Sequence, residues 1–184
     1  MPMPAARLLG YAALLLLTQC SKCKHDDPTP AAQLPAATQE GKNTFGCLVN
    51  GQVWLPQGSS GIAPNFRVSY DPGYAGGSLA IRTYRYPTGS SKGQGLILGS
   101  GGVARPGTYA LAAPDAAAFF SNEAWPFPCT EYDNDLPGTY CRGTLTVTRL
   151  DIAARIVSGT FAFTLAKPGC DTLRVTDGRF DYRL

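Results

Sequence analysis

Three carboxylates, Glu131, Asp133 and Asp135, stand at alternate positions with Asn134 among them, and Phe119, Phe120, Trp125, Phe127, Tyr132 and Tyr140 crowd the same stretch. Alternate oxygens on a loop can surround Ca²⁺, which takes six to eight oxygen ligands, but the glycine and distal glutamate of an EF-hand loop are missing here. Two of the carboxyls could also serve a glycosidase, which needs them roughly 5–9 Å apart across a cleft, a distance that sequence spacing does not set. A solvated acidic loop is the plainer reading, and no metal is expected. Rings beside carboxylates also make binding surfaces, a flat apolar face with a polar rim. The candidate binding surface is therefore Trp125, Phe127, Glu131, Tyr132, Asp133 and Asp135, set against the alternative that the rings close an open end of the core.

Other chemistry is thinly represented. The chain has one histidine, His25, ahead of any strand-like segment, which leaves no Ser-His-Asp or Cys-His machinery and no multi-histidine metal site for the domain. The run from Leu96 to Ala104 has the letters of a dinucleotide-binding turn. That mechanism needs a helix to start there, and Arg105-Pro106-Gly107 prevents one from continuing. Around Lys92 the order of glycine and lysine is wrong for a phosphate loop. No cofactor is expected, and the domain is read as non-catalytic. The alternatives are a carboxylate-dependent hydrolase acting on glycans and a structural subunit of an envelope complex.

The N-terminus says where such a domain would work. Arg7 is the only charge in the first 21 residues, and an apolar run of ten residues, Leu8 to Leu17, leads into Thr18-Gln19-Cys20. That run is well short of the roughly 20 residues a spanning helix needs. A basic start, a short apolar core and a cysteine at its edge resemble a bacterial lipoprotein signal peptide, although Gln19 stands where Gly, Ala or Ser is usual. The resemblance implies removal of residues 1–19 and acylation of Cys20. Several acyl chains at about 0.8 kcal/mol per buried methylene suffice for stable anchoring. Membrane lipid is thus one expected partner, and the expected location is the outer membrane, facing the periplasm or the exterior. Cys20 and Cys23 have thioredoxin-like spacing, but no βαβ unit follows, and an acylated thiol could not cycle.

Behind the anchor, residues 27–41 carry Pro28, Pro30 and Pro35 among Ala, Thr and Gln, a composition that reads as a semi-extended tether. This gives three parts: a signal peptide at 1–19, the lipidated cysteine and tether at 20–42, and a domain at 43–184. Without its first 19 residues the chain has 15 basic and 13 acidic side chains, a net +2 that gives no reason to expect nucleic acid. The domain holds Cys47, Cys129, Cys141 and Cys170. An even count in an exported protein suggests disulfides. Three connectivities are possible and sequence does not choose; the expected pairing is Cys129–Cys141 across a local loop and Cys47–Cys170 between the first and last strands. A zinc site would want close pairs, which are missing, and two free buried thiols are the remaining option.

The elements that must position these residues are β-strands. Asn50-Gly51 between Leu48-Val49 and Val53-Trp54-Leu55 is a type I′ hairpin signal, since both turn residues tolerate positive φ. Short strand-like runs follow at 65–70, 78–86 and 96–99, punctuated by Pro72-Gly73 and Pro106-Gly107. At 144–148 threonines alternate with apolar residues; Phe161, Phe163 and Leu165 share one face, as do Phe180, Tyr182 and Leu184. Asp177-Gly178 splits the last run as a turn or a bulge. Only 114–120, with Pro114 near its first turn, could form a short helix. The fold class is all-β, an antiparallel sandwich or a meander barrel in one domain.

The segments Phe45-Gly-Cys-Leu-Val-Asn-Gly51, Gly143-Thr-Leu-Thr-Val-Thr-Arg-Leu-Asp151, Ile156-Val-Ser-Gly-Thr-Phe-Ala-Phe163 and Thr176-Asp-Gly-Arg-Phe-Asp181 are together similar to a group of Bacteroidota lipoproteins classed as domains of unknown function. The likeness spans most of 43–184 and implies a β-rich lipoprotein domain without bringing an activity or ligand. Asp171-Thr172-Leu173 also resembles a short O-glycosylation signal of that group. The functional expectation is an envelope-anchored domain that binds an envelope protein or a glycan through its loops.

Overall fold

A computed structural model describes residues 29–59, 61–112 and 114–184; the segment 1–19 expected to be a signal peptide, Cys20, Cys23 and His25 lie outside the described residues. Eleven strands form two antiparallel sheets packed face to face, so the fold is a sandwich. They are β1 (Thr44–Val49), β2 (Gln52–Trp54), β3 (Phe66–Asp71), β4 (Ser78–Arg85), β5 (Gln94–Ser100), β6 (Gly107–Ala110), β7 (Ala116–Asn122), β8 (Glu131–Asp133), β9 (Tyr140–Asp151), β10 (Ile156–Ala166) and β11 (Leu173–Arg183). One sheet runs β2-β1-β11-β10-β9-β6 and the other β3-β4-β5-β7-β8. The hairpin at Asn50-Gly51 forms as read, with φ of 48° and 79° at its two turn residues.

The core lies between the sheets. Phe45 from β1 packs on Phe66 from β3 with ring centroids 5.3 Å apart, and on Phe161 from β10 at the same separation, so one ring ties both layers together. Inward positions follow period two: Phe161, Phe163 and Leu165 are buried while Thr160 and Ala162 are exposed. In β11 the inward residues change parity, from Leu173 and Val175 to Phe180 and Tyr182. The cause is a bulge. Three steps of β11, from Val175 to Gly178, face two steps of β10, and Asp177 adopts a positive φ of 53°. Asp177-Gly178 is therefore a bulge within one strand and not a turn between two. Phe161 lies over Gly178 so closely that a Cβ there would meet its ring at 2.4 Å.

Three sequence expectations are corrected. Residues 114–120 do not form a helix, because 116–122 are β7, with Ala116, Ala118, Phe120 and Asn122 buried in strict alternation. Pairing with β5 and β8 on its two sides overrides the helical preference of three alanines. The disulfide joins Cys129 to Cys170, 41 residues apart, and neither expected pair forms. Cys47 points from β1 into the core and Cys141 donates its thiol to Leu111 O at 3.0 Å, so both are free. Burial pushes both thiols up, Cys141 to about 11.

The third correction concerns the tether, which is docked well before residue 43. A 3₁₀ turn at Pro30–Gln33 leads into Leu34, which is buried, and Leu34 and Pro35 press on Gly46 from outside the six-stranded sheet. Residues 38–42 then wrap around Asp181, which is 1% exposed. Its carboxylate accepts from Thr38 Oγ1 (2.6 Å), from the amides of Glu40 (3.0 Å), Gly41 (2.7 Å) and Lys42 (3.1 Å), and from Ser158 Oγ (2.7 Å). Arg149, Arg179 and Arg183 donate to the carbonyls of Gln39, Pro35 and Glu40. A polar, proline-rich strap can cover a sheet face when its backbone groups find partners there.

Candidate functional site

The inward face of the five-stranded sheet is apolar along most of its length and turns polar at one end. In β4 the inward positions are Leu79, Ile81, Thr83 and Arg85; in β5 they run back from Leu98 and Leu96 to Gln94; in β7 from Ala118 and Phe120 to Asn122. Register places the three polar residues in one row, Arg85 opposite Gln94 and Gln94 opposite Asn122. The row lies one step beyond the core layer of Thr83, Leu96, Phe120 and Tyr132. It forms the floor of an open end of the sandwich, which we call the mouth.

Each member has a definite hydrogen-bonding state. Trp54, buried under the hairpin, donates its indole N–H to Gln94 Oε1 at 2.8 Å. An indole nitrogen only donates, so this fixes the amide orientation and leaves the Gln94 NH₂ as a donor with no partner among the described residues. Asn122 Oδ1 accepts from Ala124 N at 3.0 Å and shapes the turn that delivers Trp125. Arg85 Nη1 donates to Val53 O at 3.1 Å, while its Nε is buried without an acceptor. Neither ion pair among the described residues, Lys42–Glu40 and Arg149–Asp151, includes Arg85.

Trp125 divides the mouth. It is half-buried, its ring 5.6 Å from Phe120 and 6.1 Å from Tyr132. On one side lies a hollow of about 230 Å³ floored by Arg85, Gln94 and Asn122 and walled by Val53 and Trp54. On the other lies a hollow of about 330 Å³ bounded by Tyr132, Asp171, Leu173 and the Cys129–Cys170 disulfide. Asn50, at the hairpin tip, borders both. The disulfide holds the 123–130 loop against the β10–β11 turn, and Lys167 Nζ reinforces it by donating to Pro128 O (2.8 Å) and Glu131 O (3.2 Å). A broader hollow of about 450 Å³ at Leu34, Phe45, Leu55 and Phe66 lies along the strap, and no charged side chain lines it.

The residues singled out in the sequence divide accordingly. Trp125 lines the mouth on both sides. Tyr132 belongs to it as wall: the ring is 2% exposed and its hydroxyl donates to Asp171 O at 2.7 Å. Burial, followed by the nearby Asp171 charge, raises the phenol's pKa. Phe127 is 90% exposed at the loop tip and borders neither hollow. Because Tyr132 points inward on β8, Glu131 and Asp133 project from the opposite face of that edge strand. Asp133 Oδ1 caps its own turn by accepting from Asp135 N (3.0 Å), and Asp135 borders a separate hollow with Asp115. Asn134 is buried and structural, bridging Ala116 O and Ala118 N. The three carboxylates do not converge on the mouth.

Arg85, Gln94 and Asn122 do not stand out in the sequence, because they lie on three separate strands and only the register brings them together. The available signal was parity: Arg85 continues the series Leu79, Ile81, Thr83, an inward register in which a charge is costly unless it is used. No family model, curated protein or solved structure matches the chain.

Proposed function

We propose that this chain is a lipid-anchored envelope protein whose β-sandwich binds a ligand, a glycan of the envelope or its surroundings, at the mouth beside Trp125. The observation that carries the reading is the row Arg85–Gln94–Asn122, polar side chains placed at inward positions of three adjacent strands and left partly unpartnered beneath an aromatic ring. Ordinary core closure would put apolar residues there. A ring over a polar floor suits a pyranose, whose C–H face packs on an aromatic and whose hydroxyls need donors and acceptors. The lipoprotein-like N-terminus, with acylation at Cys20, supports an envelope location, and a disulfide bracing the mouth fits an oxidising compartment.

Glycan-array binding by the mature protein tests the reading. Wild type is expected to retain a defined set of glycans, Trp125→Ala to lose them with little change in melting temperature, and Phe127→Ala to keep them. Binding that survives Trp125→Ala and disappears with Phe127→Ala would move the site to the loop tip and refute the mouth.

A further inference from the structure

The mouth sets a cation, Arg85, on one side and an acid, Asp171, on the other, which bears on what it binds. We infer that the smaller hollow is a carboxylate subsite, and that Arg85 receives the acid group of an acidic sugar such as a uronic acid. This deepens the glycan reading and rests on it. Arg85 spends a single N–H on the protein, from Nη1 to Val53 O, which leaves the side-on edge formed by Nε and Nη2 without an acceptor among the described residues. Nε is closed to solvent, so an anion reaches the guanidinium at its open end, through Nη2 and the second Nη1 proton, a pair of donors that can meet a carboxylate through two parallel hydrogen bonds. A guanidinium held in a largely apolar hollow without a counter-charge is costly, and an incoming anion relieves the cost. Among the described residues no carboxylate takes that place: Glu123, the nearest acid in sequence to Asn122, accepts instead from Gly93 N at 2.7 Å.

The surroundings select a sugar acid over a bare inorganic anion. Val53, Trp54 and Trp125 supply apolar wall that a hydrated phosphate would not use, whereas a sugar ring would lie against it. The unpartnered Gln94 NH₂ sits beside Arg85 in register and offers a neutral donor to a hydroxyl. Beyond Trp125 the second hollow, bordered by the backbone at Gly169 and by Asp171, is placed for the next residue of an oligosaccharide. An acidic side chain on that far side makes a second carboxylate there unfavourable, so the expected ligand carries its acid at one unit and a neutral sugar at the neighbouring one.

Calorimetric titration of the mature protein with a disaccharide of galacturonate and a neutral sugar, its methyl ester and a neutral glucose disaccharide tests this. The acid should bind at least tenfold more tightly than its ester, and Arg85→Gln should abolish that preference. Arg85→Lys, which keeps the charge without the paired donors, should retain part of it; melting curves of both variants identify any loss due to unfolding. Equal binding of acid and ester by wild type would overturn the carboxylate assignment while leaving the mouth as a glycan site. Absence of binding by any of the three would count against both.

Discussion

Asp181 is the residue on which the N-terminal strap depends, because its two oxygens collect five donors, three of them backbone amides from residues 40–42. Burial alone would raise the pKa of this carboxyl, but hydrogen bonds from Thr38, Ser158 and the strap amides outweigh it and hold the group well below the usual carboxylate range. A carboxyl depressed in the folded state contributes stability that is present above its unfolded pKa, about 3.9, and is lost as pH falls toward the folded value. Urea midpoints should therefore be insensitive to this group between pH 7 and 5 and decline below pH 4. Asp181→Asn should cost about 2–4 kcal/mol at neutral pH, since one carbonyl oxygen cannot satisfy the same donors, and should flatten the acid limb of the profile. Equal acid sensitivity in Asp181→Asn and wild type would mean other carboxylates govern that limb. None of this was legible in the sequence: Asp181 sits between Phe180 and Tyr182 in an alternating strand, where an outward aspartate reads as solvated. Its burial is made by a segment more than 130 residues away.

At the scale of elements, the strongly periodic segments were readable and those defined by their neighbours were not. β9 and β10 alternate polar and apolar residues long enough for the face to be assigned, and the Asn50-Gly51 hairpin carries its turn chemistry in two letters. β7 presents Ala-Ala-Ala before Phe-Phe, a pattern whose strand character comes from the partners on both its edges. The β11 bulge was half visible, as a glycine in a strand. Only the parity change between Val175 and Phe180 identifies it as the device that keeps both halves of the strand facing the core. Gly178→Ala should lower stability by about 2–3 kcal/mol in denaturant unfolding, because the new methyl meets the Phe161 ring and β11 is paired on both edges. A change below 0.5 kcal/mol would show that the bulge absorbs the methyl by shifting. The disulfide belongs to this scale too. Closing 41 residues between Cys129 and Cys170 stabilises by about 4 kcal/mol in the chain-entropy model, and the double substitution to Ser should lose most of it together with ligand binding at the mouth. Unchanged stability and binding would contradict the bracing role of that bond.

For the molecule as a whole, docking of the strap shortens the leash. If acylation is at Cys20, 14 residues separate it from the docked Leu34, a length of chain that can reach at most about 50 Å from the membrane surface. Intact-mass measurement on the native protein should find an N-terminus at Cys20 carrying acyl chains; residues 1–19 retained with an unmodified thiol would remove the anchor from the account. The class of the fold and its single-domain size could be read from strand signals and turn residues, whereas the proposed site could not, because its polar row takes one residue from each of three strands brought into line by register. Aromatic crowding pointed to the loop that carries Trp125, but the acidic residues beside it face away from the mouth. The most direct test of the account is therefore made at Arg85 itself. In NMR spectra of the mature protein titrated with the same galacturonate-containing disaccharide, the Arg85 guanidinium resonances should move together with the Trp54 and Trp125 indole signals, while the strap around Asp181 stays unchanged. Shifts confined to Phe127 or the strap, with Arg85 unmoved at saturation, would contradict it.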